Sequence, residues 1–289
     1  MVRAISAKTL LASVRQPDPW FGLKYNMNLY RGCQHGCIYC DTRSECYGID
    51  DLDDVAVKIN ALQLLQQELP RKRVKGVIGY GSMNDCYQPL EAELCLMRGA
   101  LEIIARHGFP VHILTKSDLV LRDLDLLRQI SRTYAAVSLT VTTADDALAG
   151  KVEPGAPPPS ARLAAIGQLS REGILSGAML MPVLPFIEDS LENVLGVVHG
   201  VHRAGGRYIV AAFGMTLRDR QREYYYGQLD RWFPGLSQRY RQRYGERYSA
   251  AANGAHQLES AFRDECSRLG IATRMPLYEP LAAVQHRLL

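Results

Sequence analysis

The sequence contains no apolar run of the roughly 18 or more residues that a membrane-spanning helix needs. Its longest candidate, Gly173 to Ile187, is broken by Pro182 and Pro185. The opening residues Met1-Val2-Arg3-Ala4-Ile5-Ser6 lack a long apolar core ahead of a small-residue cleavage site, so a secretory leader is not indicated and a cytoplasmic location is expected. Cysteine is scarce and odd in number, seven in 289 residues with three of them within eight positions. That is too few and too clustered for the disulfide framework of a secreted domain. Lysine is missing from the end of the chain: from Thr216 onward there are 12 Arg and 8 Asp or Glu, while the rest balances at 22 of each sign. What is there, 47% hydrophobic and 22% charged residues, suffices for one large α/β barrel or two ordinary domains.

Short β-rich runs alternate with amphipathic stretches. Strands are expected at Leu23–Leu29, Gly76–Gly79, Val111–Leu114, Ala135–Val141, Ser176–Val183 and Tyr208–Phe213, and their low charge suits parallel strands covered by helices. Helical patterns fill the gaps at Asp54–Glu68, Pro89–His107, Leu119–Ser131, Ser160–Arg171 and Leu191–Ala204. Ser160, after three prolines, reads as a helix cap. Six rounds of alternation argue for a parallel barrel, complete or partial, over an open doubly wound sheet. From Thr216 the alternation stops and a polar, mostly helical region follows, with turn signals at Pro234-Gly235 and Gly245.

The first expected strand is followed by Cys33-Gln34-His35-Gly36-Cys37-Ile38-Tyr39-Cys40, a C-x3-C-x2-C spacing. Iron–sulfur clusters are held by cysteine thiolates, commonly four. Three local thiolates leave one iron open, which is what a catalytic metal requires. A closed zinc site would need a fourth ligand; His35 lies within the loop, so zinc stays an alternative on the spacing alone.

This spacing, with an aromatic residue before the third cysteine, resembles the signature of the radical S-adenosylmethionine (SAM) superfamily. The resemblance implies a partial (β/α)6 TIM-type barrel with a C-terminal helical cap: residues 1–22 an extension, 23–215 the barrel, 216–289 the Arg/Tyr-rich cap. It implies a [4Fe-4S] cluster on Cys33, Cys37 and Cys40 whose open iron binds SAM. Reductive cleavage of SAM to a 5'-deoxyadenosyl radical then abstracts hydrogen from a substrate. A one-electron reductant of the flavodoxin or ferredoxin type is the implied partner, and Tyr39 would pack beside the adenine.

Later segments are similar to the spore photoproduct lyase-like subgroup. The run Gly79-Tyr80-Gly81-Ser82-Met83-Asn84-Asp85-Cys86-Tyr87-Gln88-Pro89 stands where that family reads the methionyl amino group. Glycines permit close approach, and Ser82, Asn84 and Asp85 can accept ammonium hydrogen bonds. By the same resemblance Lys116, at a strand's C-terminal end, would pair with the methionyl carboxylate, and Ser138 would contact the same ligand. Met181-Pro182-Val183-Leu184-Pro185 resembles the stretch near the adenosine, and Glu153-Pro154-Gly155 with Arg162 is family-like without an evident role. The sequence departs from the subgroup in one respect. Spore photoproduct lyases carry a hydrogen-donating cysteine in the loop after the second strand, and Ser82 stands there in this chain. Cys86, four residues on, is the alternative substrate-facing thiol.

Arg218 to Arg247 holds eight Arg against four acidic residues, with Tyr224, Tyr225, Tyr226, Trp232, Phe233, Tyr240 and Tyr244 interleaved. The composition suits nucleic-acid binding. The four-residue recurrence of Tyr240, Tyr244 and Tyr248 equally suits one helix face packed on the barrel, with Arg239, Arg241, Arg243 and Arg247 solvated. The expected substrate is a nucleic acid or nucleotide, with a lyase-like or other radical-mediated modification as the reaction. The alternatives are a peptide or small metabolite as substrate, and a zinc-stabilised nucleic-acid-binding module without catalysis.

Overall fold

The computed structural model describes residues 3–16, 18–81 and 83–280. Ser82, the turn residue Pro17 and the residues Met1 and Val2 lie outside them. Six parallel strands form the main sheet: β1 (Leu23–Asn26), β2 (Val77–Tyr80), β3 (Val111–Thr115), β4 (Ala135–Thr140), β5 (Leu175–Leu180) and β6 (Tyr208–Ala211). They pair in sequential order, and Ala12–Ser13 adds an antiparallel seventh strand beside β1. All six expected strands are present, each ending within a few residues of its sequence reading. The sheet is a partial barrel, open between β6 and β1, where Ile209 and Ala272 make a backbone hydrogen bond of 2.8 Å.

The strand residues sort by alternation. Val137, Leu139 and Val141 join the core beneath the helices, whereas Ala136, Met179, Tyr208 and Val210 fill the barrel interior with Met275. Within that interior Ser138 Oγ lies 2.8 Å from His112 Nε2 and 2.7 Å from the Tyr208 hydroxyl. The Phe21 ring stacks on His112 at 4.6 Å. His112 Nε2, Ser138 Oγ and the Tyr208 hydroxyl thus satisfy one another, as burial requires.

The outer layer holds α1 (Ala61–Glu68), α2 (Leu96–His107), α3 (Leu124–Ser131), α4 (Asp146–Val152), α5 (Pro159–Arg171) and α6 (Leu191–Arg203). Four helix readings need correction. Residues 54–60 are not helical, because Ala56–Lys58 pairs with both Arg3–Ile5 and Tyr30–Arg31 in a small second sheet. The stretch from Pro89 is broken at Cys95, which sits at φ +52° between the short helix Glu91–Leu94 and α2. Asp118–Asp123 is a 3-10 turn ahead of α3. Ser160 does not cap α5: Pro158 is the capping position, and the Ser160 hydroxyl donates to Asp146 at 2.6 Å.

The C-terminal region is α7 (Asp219–Trp232), α8 (Leu236–Tyr244) and α9 (Ala255–Leu269), with an antiparallel hairpin of β7 (Gly214–Thr216) and β8 (Ser249–Ala251). α7 and α8 build a second core around Tyr225, Tyr226, Leu229, Tyr240 and Tyr244, on the side of Ile38 and Tyr39. Tyr240 and Tyr244 are therefore buried as the periodicity suggests, while Tyr248, beyond the helix end, is 58% exposed. α9 leaves the cap and packs on α6 on the barrel's outer face. No helix among the described residues is long and apolar enough to cross a membrane.

Candidate active site

A cavity of about 660 Å³ opens at the C-terminal ends of the strands, beneath the β7–β8 hairpin. Its volume is in the range of sites that enclose a ligand of cofactor size. Cys33, Cys37 and Cys40 line one wall, Asn84 and Lys116 the next, and Met215 and Ala250 of the hairpin lie across from them.

The cysteine loop is shaped by its backbone. Gly32 takes φ +92°, and a Cβ there would lie 2.7 Å from the Leu52 carbonyl oxygen. Cys33 N–H then donates to that same oxygen at 2.8 Å. Farther on, Ile38 N–H donates to Val152 O at 2.9 Å and Gly155 N–H to His35 O at 2.9 Å. Gly155 presses so closely that an added Cβ would lie 2.3 Å from Gln34 O. Gln34 itself closes a clamp on the next loop, accepting from Leu90 N–H at 2.7 Å while its own N–H donates to Gln88 Oε1 at 3.0 Å.

Burial pushes the Cys33 thiol up to about 12, with Asp85 adding to it. Burial likewise raises the Cys37 thiol, and nearby Lys116 offsets only part of this. Such thiols become thiolates at neutral pH only beside a strong cation, which is the behaviour of metal ligands. Among the described residues no three His, Cys, Asp or Glu side chains stand in metal-ligand geometry. Three soft donors on one rigid loop, with a cavity on their open side, fit a cluster that uses three thiolates and keeps one iron for a ligand. His35 does not supply a fourth ligand. It is 2% exposed, its Nδ1 lies 3.1 Å from Gly155 O and its Nε2 3.1 Å from Asp85 Oδ2.

Asp85 serves the frame of the site. Its Oδ1 accepts from Thr115 Oγ1 at 2.6 Å and Tyr87 N–H at 2.8 Å, and its Oδ2 from Lys116 N–H at 2.7 Å. Burial would raise this carboxyl, but His35, Thr115 and the Lys116 amide outweigh it and hold the group well below the usual carboxylate range. With its lone pairs engaged, Asp85 ties the loop after β2 to the end of β3. Asn84 donates its amide to Tyr30 O at 2.5 Å, and its carbonyl oxygen remains the better acceptor for an ammonium.

The strongest feature absent from the sequence reading is the buried network around Glu153. Arg162, wholly buried inside α5, reaches Glu153 Oε2 at 2.5 Å, Pro157 O at 2.8 Å and Thr140 O at 3.0 Å. Glu153 also accepts from the Tyr39 hydroxyl and lies 3.8 Å from Lys116 Nζ. Burial alone would raise the Glu153 carboxyl; Arg162 and then Lys116 outweigh it and keep the group low. Lys116 is shifted up, the cost of burial being outweighed by Cys37 and Glu153. The segment was visible in the sequence, but nothing local pairs residues nine positions apart across a triple-proline turn.

Two of the expected site residues, Cys86 and Ser138, are not among the residues that line the cavity. Cys86 is 2% exposed and belongs to the main core. Its neighbour Asp85 lines the cavity, and the chain turns at Cys86 and Tyr87, where Tyr87 N–H donates back to Asp85. Ser138 is fully buried in the barrel floor, its hydroxyl held between His112 and Tyr208.

The cap is fastened to the cysteine loop. Asp41 accepts from Thr216 Oγ1 at 2.6 Å and faces Arg218 Nε at 3.2 Å. Asp219 accepts from Ser44 Oγ at 2.9 Å, and Gln221 Nε2 donates to Tyr39 O at 3.1 Å.

A partial parallel barrel with three cysteines after its first strand and a polar, lysine-bearing mouth defines a metal-cofactor enzyme that works at the C-terminal face. Comparison with known proteins makes the class specific. The radical SAM superfamily model matches residues 27–198, and the chain belongs to that superfamily. Its enzymes use a [4Fe-4S] cluster and SAM, and need a reductant. An uncharacterized protein of Mycobacterium tuberculosis is 36% identical over 229 residues, spanning 76% of this chain and 67% of that protein. A radical SAM Nalpha-GlyT isomerase of Pseudomonas phage M6 is 23% identical over 181 residues, spanning 63% of this chain and 37% of that protein. Spore photoproduct lyase, solved in complex with dinucleoside spore photoproduct, is similar in fold. Its TM-score is 0.69 at 15% identity, covering 96% of this chain and 81% of that one.

Proposed function

We propose that Cys33, Cys37 and Cys40 hold the [4Fe-4S] cluster and that SAM occupies the cavity beside them. The observation that carries the assignment is the convergence of these cysteines with Tyr39, Asn84 and Lys116 around one cavity. When bound, the reduced cluster supplies the electron that cleaves SAM and gives a 5'-deoxyadenosyl radical. The chain's own residues do the positioning. Lys116, steadied by Glu153, offers a fixed cation to the methionyl carboxylate, and the Asn84 oxygen accepts from the ammonium. Tyr39, with its hydroxyl pinned to Glu153, gives the adenine a rigid aromatic edge. The hairpin residues Met215, Thr216 and Ala250 cover one side of the cavity, which limits the access of stray hydrogen donors to a radical.

The substrate is a nucleic acid or nucleotide, entering under the hairpin. The Arg- and Tyr-rich cap supports this, as does the fold shared with a lyase solved with a dinucleoside. The burial of Cys86 favours a modification in which no thiol of this loop returns the hydrogen. A flavodoxin- or ferredoxin-type protein delivers the electron. Anaerobically purified protein should be brown and carry about four irons per chain; a colourless protein with about one zinc would refute the assignment.

A further inference from the structure

The arginines of the C-terminal region fall into two groups. Arg218, Arg220, Arg222, Arg241, Arg263 and Arg268 each face a carboxylate. Arg231, Arg239, Arg243, Arg247 and Arg274 are exposed and have no carboxylate partner among the described residues, and three of them, Arg239, Arg243 and Arg247, follow one another along α8 and the turn after it. Arg239 and Arg243 are one turn apart on α8, about 6 Å along its axis, and Arg247 follows the turn at Gly245.

Two members of this row, Arg243 and Arg247, line a second cleft of about 470 Å³ together with Tyr244, Ser249 and Ala251. Ser249 and Ala251 also line the main cavity, so the two volumes meet at strand β8. The cleft's wall is fixed: Tyr244 hydroxyl donates to Ala251 O at 2.6 Å, Arg247 N–H to Tyr244 O at 3.0 Å, and Arg222 Nη2 to Arg247 O at 3.0 Å. Arg239 lies over the Phe186 ring at 4.3 Å, which leaves its guanidinium edge free to donate.

Two guanidiniums on one cleft with no carboxylate partner among the described residues suit an oxyanion that can take several donors at once, and phosphate does so with forked, charge-assisted geometry. We infer that the Arg243–Arg247 cleft binds a phosphate group of the substrate, with Arg239 on the approach, while the group to be modified reaches past β8 into the main cavity. This rests on the reading of the main cavity as the reaction site. A nucleic-acid strand and a free nucleotide share the chemistry, and they differ in whether neighbouring phosphates add to the binding.

The test uses the full chain with its cluster and two probes, a short fluorescein-labelled single-stranded oligodeoxynucleotide and a labelled mononucleotide, read by anisotropy over a salt series. Arg243→Gln/Arg247→Gln should weaken binding by about tenfold or more and lower the salt slope for the strand by about 1.4, at about 0.7 per contact. Arg243→Lys/Arg247→Lys keeps the charge but loses the forked donors, so its salt slope should match wild type and its affinity should fall between wild type and the Gln pair, which separates a lost contact from a lost fold. Arg263→Gln/Arg268→Gln, whose partners are carboxylates, should bind like wild type. Tighter binding of the strand names a polymer, and equal binding names a nucleotide. Failure of the wild type to bind either probe, or equal binding by the Gln pair, overturns the inference. Formation of 5'-deoxyadenosine by the wild type is measured separately, so failure of the reaction-site reading is distinguishable from failure of the phosphate site.

Discussion

Arg162 and Glu153 meet at 2.5 Å with neither side chain exposed, and through Glu153 the pair reaches both Tyr39 and Lys116. The site's aromatic edge and its cation are thereby set from behind by one buried charge. Removing one member of a buried pair costs about 3–5 kcal/mol, since the other charge is left uncompensated. Arg162→Met should therefore lower stability in urea at pH 7 by about that amount. Arg162→Met/Glu153→Gln should recover part of the loss while still raising the KM for SAM.

Gly81 sits at φ +89°, and a Cβ there would lie 1.8 Å from the backbone oxygen of Leu114. Gly81→Ala must displace either the loop carrying Asn84 and Asp85 or the end of β3. SAM affinity should fall at least tenfold in equilibrium binding, and iron content should fall less, because Cys33 and Ile38 are also anchored to Leu52 and Val152.

Cys86 packs as a small apolar side chain in the core. Cys86→Ala should cost about 1 kcal/mol in denaturant and leave SAM cleavage within about twofold of wild type. A large loss of product with SAM cleavage intact would return Cys86 to the substrate.

Glu188 gives a dependence on pH opposite to that of Glu153. Burial raises its carboxyl to about 8 from an ordinary 4.5, despite hydrogen bonds from Thr142 and the Leu184 amide. Between those values the folded state keeps a proton that the unfolded state releases, so stability falls as pH rises from about 4.5 to 8. Glu153 is held low, so its contribution is full above the unfolded value and is lost as pH falls. Glu188→Gln should flatten the decline of melting temperature between pH 6 and 8 and leave the acid side unchanged.

The six strands and the cysteine loop were legible because alternation, burial and motif spacing are local properties. The errors came from non-local partners. Ala56–Lys58 looks helical until Arg3–Ile5 and Tyr30–Arg31 pair with it. Ser160 looks like a cap until Asp146 takes its hydroxyl. Asp85 was readable as a polar cavity residue, but its engagement by His35, Thr115 and Lys116 joins three separate loops. The hairpin over the cavity went unread because its strands, Gly214–Thr216 and Ser249–Ala251, are three residues each and two helices apart.

The central claim is that the cavity beside Cys33, Cys37 and Cys40 binds SAM at an iron–sulfur cluster and cleaves it. The most direct measurement is chromatographic quantification of 5'-deoxyadenosine after incubating anaerobic, dithionite-reduced protein with SAM, with Cys37→Ala alongside. The account predicts 5'-deoxyadenosine from the wild-type protein and none above background from Cys37→Ala. Equal yields from both, or none from an iron-loaded wild type, would contradict it.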